Sequence, residues 1–251
     1  MSVTLHPQAI IEDGVTLEPG VTVMQGAMLR RGTQLGANVV VHPYAVIGGE
    51  PQDLRFSSAT ISGVRVGEGT TLREFVTINR STKPESFTTV GRNCFLMAGV
   101  HLGHDSQVGD HVVLANNVLL AGHVQVADRA FIGGGCAIHQ FCRVGEGAMI
   151  GGLARITVDV PPFSMVAERD ELAGLNLVGL KRRGLPRESI RELKEVFRHV
   201  FFKSGNIRTI AAEALPRALA PEVKVFLEFF AGGKRGFSRP RRGGGDGDNA
   251  E

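Results

Sequence analysis

Tryptophan is absent from this 251-residue chain, tyrosine occurs once, and aromatic residues together make up 6%. That composition excludes a globular core built on large rings, which dominate core energetics where they are plentiful. Cysteine occurs three times, too few and too odd a number for a disulfide framework. No apolar run reaches 18 residues, so no membrane span is expected. The opening MSVTLHPQAI has neither a basic n-region nor an apolar h-region. No secretory signal is therefore expected, and the cytoplasm is the expected compartment. Neither charge sign dominates: the net charge is +3, and much of the excess lies in the C-terminal third. So mild an excess calls for no nucleic acid, but it offers a surface to an acidic partner.

Glycine is plentiful, with 33 residues, and the aliphatic residues are strictly periodic. Leu, Ile or Val stands at every sixth position from Leu5 to Ile47, from Val66 to Ile78 and from Val90 to Ile150, without exception. Hydrophobic residues are only 43% of the chain, so chance does not produce this pattern. A hexapeptide period marks a parallel β-helix, in which each short strand stacks on its counterpart one coil below. Three hexads make a triangular coil, and coils are spaced by about 4.8 Å. The fourth hexad position often holds Gly or Asn, as at Gly14, Asn38, Gly99 and Asn117, which suits tight corners with positive φ. The fifth holds small residues, and Cys94, Cys136 and Cys142 all fall there. They read as small core side chains.

The period fails over residues 48–65 and 79–89. A solenoid gains nothing from such breaks, so both are expected to be functional loops. The repeat is expected to end near DVPPF, where Pro161 and Pro162 cannot donate to a strand ladder. Beyond it Ile190, Leu193, Val196, Phe197, Val200 and Phe201 recur at helical spacing, and two further helical stretches follow. The expected organisation is a β-helix over residues 1–160, a helical domain over 161–236 and a polar, Gly-rich, disordered tail over 237–251. A flat-sided helix of this kind is expected to trimerise, with sites between subunits.

Four of eight histidines cluster: His101, His104, His123 and His139. With three hexads per coil, His104, Gly122 and Gln140 should stack in one column, and Asp105, His123 and Phe141 in the next. Two chemistries suit such a patch. A neutral imidazole could take a proton from a hydroxyl, oriented by a carboxylate, while a backbone N–H holds an oxyanion. Alternatively, three histidines could hold zinc, although no two are five apart, as they are in hexapeptide proteins resembling carbonic anhydrase.

Residues 101–145 (HLGHDSQVGD through HQFCRVG) closely resemble the UDP-N-acetylglucosamine O-acyltransferases that begin lipid A synthesis. PQDLRF, DVPPF and GLNLVGLKRRG match in the same order. The resemblance covers roughly residues 5–232 and implies a left-handed β-helix, a homotrimer, no metal and no organic cofactor. It implies that His104 is the general base, Asp105 its partner and Gly122 the oxyanion donor. It places Asp53, Arg55, Asn79, His101, His123, His139 and Gln140 around the sugar or acyl group, and Asn176 and Arg182 at the nucleotide and its phosphates. Gly152 matches the position whose size sets acyl-chain length, and glycine there implies a longer 3-hydroxyacyl chain. Asn79 stands where many members have histidine, Arg55 where lysine is common, and Val178 where some have glutamate. Because some members act on a 3-amino analogue of the sugar, both acceptors stay open.

The expected function is transfer of a 3-hydroxyacyl group from acyl carrier protein to the 3-position of UDP-N-acetylglucosamine. Carrier protein is acidic, and Lys181, Arg182, Arg183, Arg187, Arg191, Lys194 and Arg198 offer a basic surface to it.

Overall fold

The computed structural model describes residues 2–240. Three sheets of eleven, eight and seven strands form the walls of a left-handed parallel β-helix. The hexad spacing predicts the register. On the first wall Phe95 pairs with Val113, Val113 with Phe131 and Phe131 with Met149. On the second, His101 pairs with Leu119, Leu119 with Ala137 and Ala137 with Arg155. On the third, Gln107 pairs with Gln125 and Gln125 with Arg143. Each step is one 18-residue coil. Period-2 alternation sends the residue that follows each of these inward. Leu96, Leu102, Leu114, Leu120, Ile132 and Ile150 are fully buried, as are Val100, Cys136 and Cys142 at the fifth hexad position. Burying one such aliphatic side chain contributes up to about 1.5–3 kcal/mol. All three cysteines are free thiols in this aliphatic interior. At the N-terminal end no described residue covers Leu5 of the first coil, which is 46% exposed.

Corner residues adopt left-handed backbone. Gly14, Gly99 and Gly147 have φ of 84°, 73° and 61°, and Asn38 and Asn117 have 58° and 59°. The two breaks in the period are narrower than expected. Strands Val46–Gly49 and Gly63–Val66 leave residues 50–62 as the first loop. Strands Thr77–Asn79 and Phe87–Val90 leave residues 80–86 as the second. Both loops depart from the second wall and return on the third, so both emerge at one corner of the prism.

The prolines do not end the ladder. Ser164–Val166 pairs parallel with Met149–Ile150, just past Pro162, and Glu171–Leu175 then adds to this wall antiparallel. Pro162 and Phe163 form a turn ahead of the strand, outside the ladder, so no strand bond is lost.

Four α-helices follow: α1 Leu177–Arg182, α2 Arg187–Phe202, α3 Ile207–Ala214 and α4 Pro221–Glu228. As the spacing predicts, α2 buries Leu193, Phe197 and Val200. Its basic residues Arg187, Arg191 and Lys194 are exposed. The scarce aromatics concentrate here: Phe197, Phe201, Phe226, Phe230 and Phe237 form a chain of ring contacts 4.8–6.3 Å apart. Phe237, assigned to the tail by composition, is therefore part of the core of this domain. Arg239–Pro240 likewise pairs with Glu171–Leu172. The tail's beginning is corrected accordingly, because ring burial outweighs the polar character of its neighbours. Residues 241–251 lie outside the described residues.

The helical domain is fastened to the β-helix by Arg143 and Asp159. Their side chains meet at 2.8 Å with Asp159 fully buried, and Arg143 also donates to Phe229 O at 3.0 Å. Ser238 N donates to Asp159 O and Asp159 N to Gly236 O. This fixes residues 232–238 as a strap along the edge of the prism.

Candidate active site

The predicted columns form. His123 N donates to His104 O at 2.9 Å and Phe141 N to Gly122 O at 3.3 Å, so successive coils are hydrogen-bonded at this corner. The His104 Nδ1 lies 2.7 Å from Asp105 Oδ2, with the two side chains 12% and 8% exposed. The carboxylate has further donors: Ser81 Oγ to Oδ1 at 2.5 Å, and Thr82 Oγ1 to Oδ2 at 2.6 Å. Burial alone would raise the Asp105 carboxyl, but these hydrogen bonds and His104 overcome it and hold it at about 2. The group is ionised near neutrality. An ionised acceptor at Nδ1 assigns the proton to that nitrogen. The Nε2 of His104 is then a bare lone pair, without a partner among the described residues.

Gly122 carries the ring of His104 against its backbone. A Cβ at residue 122 would lie 2.7 Å from both Cε1 and Nε2 of that imidazole. The close approach that demands glycine is thus by the protein's own histidine. The Gly122 N–H donates to no group among the described residues.

His123 is the second imidazole here. Its ring stacks on Phe141 at 4.6 Å and meets His104 edge-on at 5.1 Å. Its Nε2 lies 3.7 Å from Asp105 Oδ2. Burial pushes His123 below the usual imidazole range, partly countered by Asp105. His101, on the strand entering this corner, is lowered by burial as well and meets Thr77 Oγ1 at 2.7 Å. His104, Asp105 and His123 place one donor atom each within 4.8 Å of one another, a set a metal ion could use. That cluster contains one carboxylate in place of the third histidine expected of a zinc site, and the carboxylate oxygens already accept hydroxyl hydrogens.

The remaining predicted residues divide. Asp53 lies in the first loop, where Arg55 N donates to it at 2.9 Å. That backbone bond lowers its pKa, and the Arg55 side chain adds to the effect. Arg80 ties this loop to the second by donating to Thr60 O and Ser58 O at 2.6 and 3.0 Å. Asn79 is 7% exposed and donates to Glu50 O at 2.9 Å, while its Oδ1 is buried without a partner. His139 Nδ1 and the Gln140 carbonyl both accept from Arg235, at 3.0 and 3.2 Å. Asn176 and Arg182 are not brought to this corner. Asn176 caps α1 through Gly179 N and donates to Gly147 O at 3.1 Å, on a different edge of the prism. Arg182 is exposed on that helix. Gly152 lies on the third edge, where an added Cβ would meet only Gly134, at 3.4 Å.

Sequence reasoning missed Ser81, Thr82, Lys83, Lys234 and Arg235. Lys83 and Lys234 line a cavity of about 520 Å³ with Asp105, His123 and Phe141. The position of the two breaks was the available signal: counting hexads would have put both at the corner of His104.

Residues 159–238 match the family model described as UDP-N-acetylglucosamine O-acyltransferase, domain 2, and residues 87–122 match that of the bacterial transferase hexapeptide. A relative from Agrobacterium fabrum, named acyl-[acyl-carrier-protein]--UDP-N-acetylglucosamine O-acyltransferase, is 38% identical over 96% of this chain and 97% of its own. The chain belongs to the UDP-N-acetylglucosamine O-acyltransferase family. A second such acyltransferase, from an Anaeromyxobacter species, is 40% identical over 82% of this chain and 81% of its own. The solved UDP-N-acetylglucosamine acyltransferase of Campylobacter jejuni superposes with a TM-score of 0.83 at 34% identity, covering 95% of this chain and all of that one. As a member of this family the chain is an acyltransferase of lipid A biosynthesis.

Proposed function

We propose that His104 is the general base in transfer of a 3-hydroxyacyl group from acyl carrier protein to the 3-position of UDP-N-acetylglucosamine. The carrying observation is the Nδ1 contact of 2.7 Å to an ionised Asp105, which leaves Nε2 bare over Gly122. Nε2 takes the proton of the sugar hydroxyl as its oxygen attacks the thioester carbonyl. The Gly122 N–H steadies the tetrahedral oxyanion. On collapse the C–S bond breaks, and the imidazolium returns its proton to the departing thiolate. Proximity supplies much of the rate, since effective molarities reach about 10⁵ M or more. Neutral His101 and His123 can hydrogen-bond the substrates without repelling the proton being moved.

The orphan Oδ1 of Asn79 supports its contact with a substrate O–H or N–H. That acceptor serves a 3-hydroxyl or a 3-amino sugar equally, so this residue does not choose between them. Asn176 and Arg182 sit on another edge from His104. If they hold the nucleotide, they reach it from a neighbouring subunit, which supports a homotrimer. Exposed Leu54, Ile61 and Leu119 supply apolar surface for such a contact. Arg187, Arg191 and Lys194 on α2 are open for an acidic carrier, whereas Arg183 is engaged with Glu146 at 2.6 Å. A cytoplasmic location belongs to the same reading.

Product mass spectrometry with a panel of 3-hydroxyacyl carriers and both UDP-sugars tests the assignment. Acylated UDP-N-acetylglucosamine is expected, and acylation of the amino analogue alone would replace the acceptor.

A further inference from the structure

We propose that Ser81 and Thr82 are positioning residues, which decide which of two neighbouring imidazoles Asp105 orients. The inference rests on His104 being the base. Oδ2 of Asp105 lies within reach of both rings, 2.7 Å from His104 Nδ1 and 3.7 Å from His123 Nε2. Nothing in the two histidines themselves sets this order. The second loop does. Ser81 Oγ holds Oδ1 at 2.5 Å, Thr82 Oγ1 holds Oδ2 at 2.6 Å, and Thr82 N adds a longer bond at 3.3 Å.

An ionised carboxylate only accepts, so both hydroxyls must donate to it. Ser81 Oγ then has its lone pairs free and accepts from Lys83 N at 3.1 Å. The bracket is itself anchored: Ser81 is fully buried, and its carbonyl accepts from Ser62 Oγ at 2.5 Å. From the other side Thr88 Oγ1 accepts the Asp105 N–H at 2.9 Å, fixing the backbone. Turning the carboxylate toward His123 would break two charge-assisted bonds, which are among the stronger hydrogen bonds in proteins. The second interruption of the repeat thereby acquires a purpose: it delivers two hydroxyls to one carboxylate.

Ser81→Ala, Thr82→Val and the double variant test this, with Thr82→Ser as the conservative control. The double variant is expected to lose about 10- to 100-fold in kcat, with KM for both substrates held within about twofold. Thr82→Ser should retain most of the activity. Histidine ¹⁵N spectra should show a single Nδ1–H tautomer for His104 in the parent and mixed tautomers in the double variant. An unchanged tautomer, or a loss confined to KM or to thermal stability, overturns the proposal. The tautomer readout needs no turnover, so the bracket can be judged even if His104→Ala remains active and the base assignment falls.

Discussion

Two edges of the same prism share one backbone and, over three successive coils, fill it with different residues. At Gly99, Asn117 and Gly135 φ is 73°, 59° and 70°; at Asp105, His123 and Phe141 it is 60°, 61° and 65°. Over these three coils the first edge meets the left-handed requirement with residues that adopt it at little cost, while Tyr44, Phe75 and Leu153 stand at 62°, 60° and 62° elsewhere along it. The second meets it with side chains, one of them a bulky aromatic for which this region is a true outlier. There the strain is offset by contacts: Asp105 is bracketed by hydroxyls, and Phe141 stacks on His123. Strained positions of this sort concentrate at functional sites. The winding therefore supplies equivalent corners, and what sets the second apart is the hydrogen-bonded pair of His104 and Asp105 together with the loop hydroxyls that hold it.

The contrast is most severely tested at the edge of His104. His104→Ala is expected to lower turnover by about 10²–10⁴-fold with the circular dichroism spectrum unchanged; near-parental turnover would end the assignment. Gly122→Ala should follow, with about a 10²-fold drop in turnover, because the new methyl would stand where the His104 ring lies. A crystal structure of that variant should show the imidazole displaced.

On the glycine edge, Gly152→Met should shift preference toward shorter acyl donors in a competition assay, since open space adjoins that residue. Unaltered chain selectivity would remove Gly152 from the acyl site. Gly99→Ala should leave turnover intact and lower stability by about 1–2 kcal/mol for a left-handed alanine, read from denaturant midpoints. A further expectation concerns pH. The Asp105 carboxyl is depressed from 3.8 to about 2. Its contribution to stability is therefore complete above pH 3.8 and lost as pH falls toward 2. Asp105→Asn should flatten that portion of a plot of Tm against pH.

Much of this could be read in advance. Both stacked columns followed from counting six at a time, and the small fifth-position slot anticipated three buried thiols. Helix α2 was legible from Leu193, Phe197 and Val200. The errors came where periodicity gives no guidance. Residues 237–240 look like tail by composition, yet Phe237 is held by other rings and Ser238 by Asp159. Pro161 and Pro162 cannot donate to a ladder, yet the wall resumes at Ser164 once they are passed. Asn176 and Arg182, expected at the nucleotide, lie within one chain on another edge from the histidines.

Sequence alone determined the winding, the register and the alignment of one imidazole over a glycine, because a strict period propagates the same geometry coil after coil. Only the tertiary structure decided which donors hold Asp105, which imidazole it orients, and that a strap from the helical domain carries Arg235 to His139. Those contacts join segments whose separation along the chain follows no repeat. The return path of an irregular loop is set by what it packs and bonds against, and no local pattern encodes it.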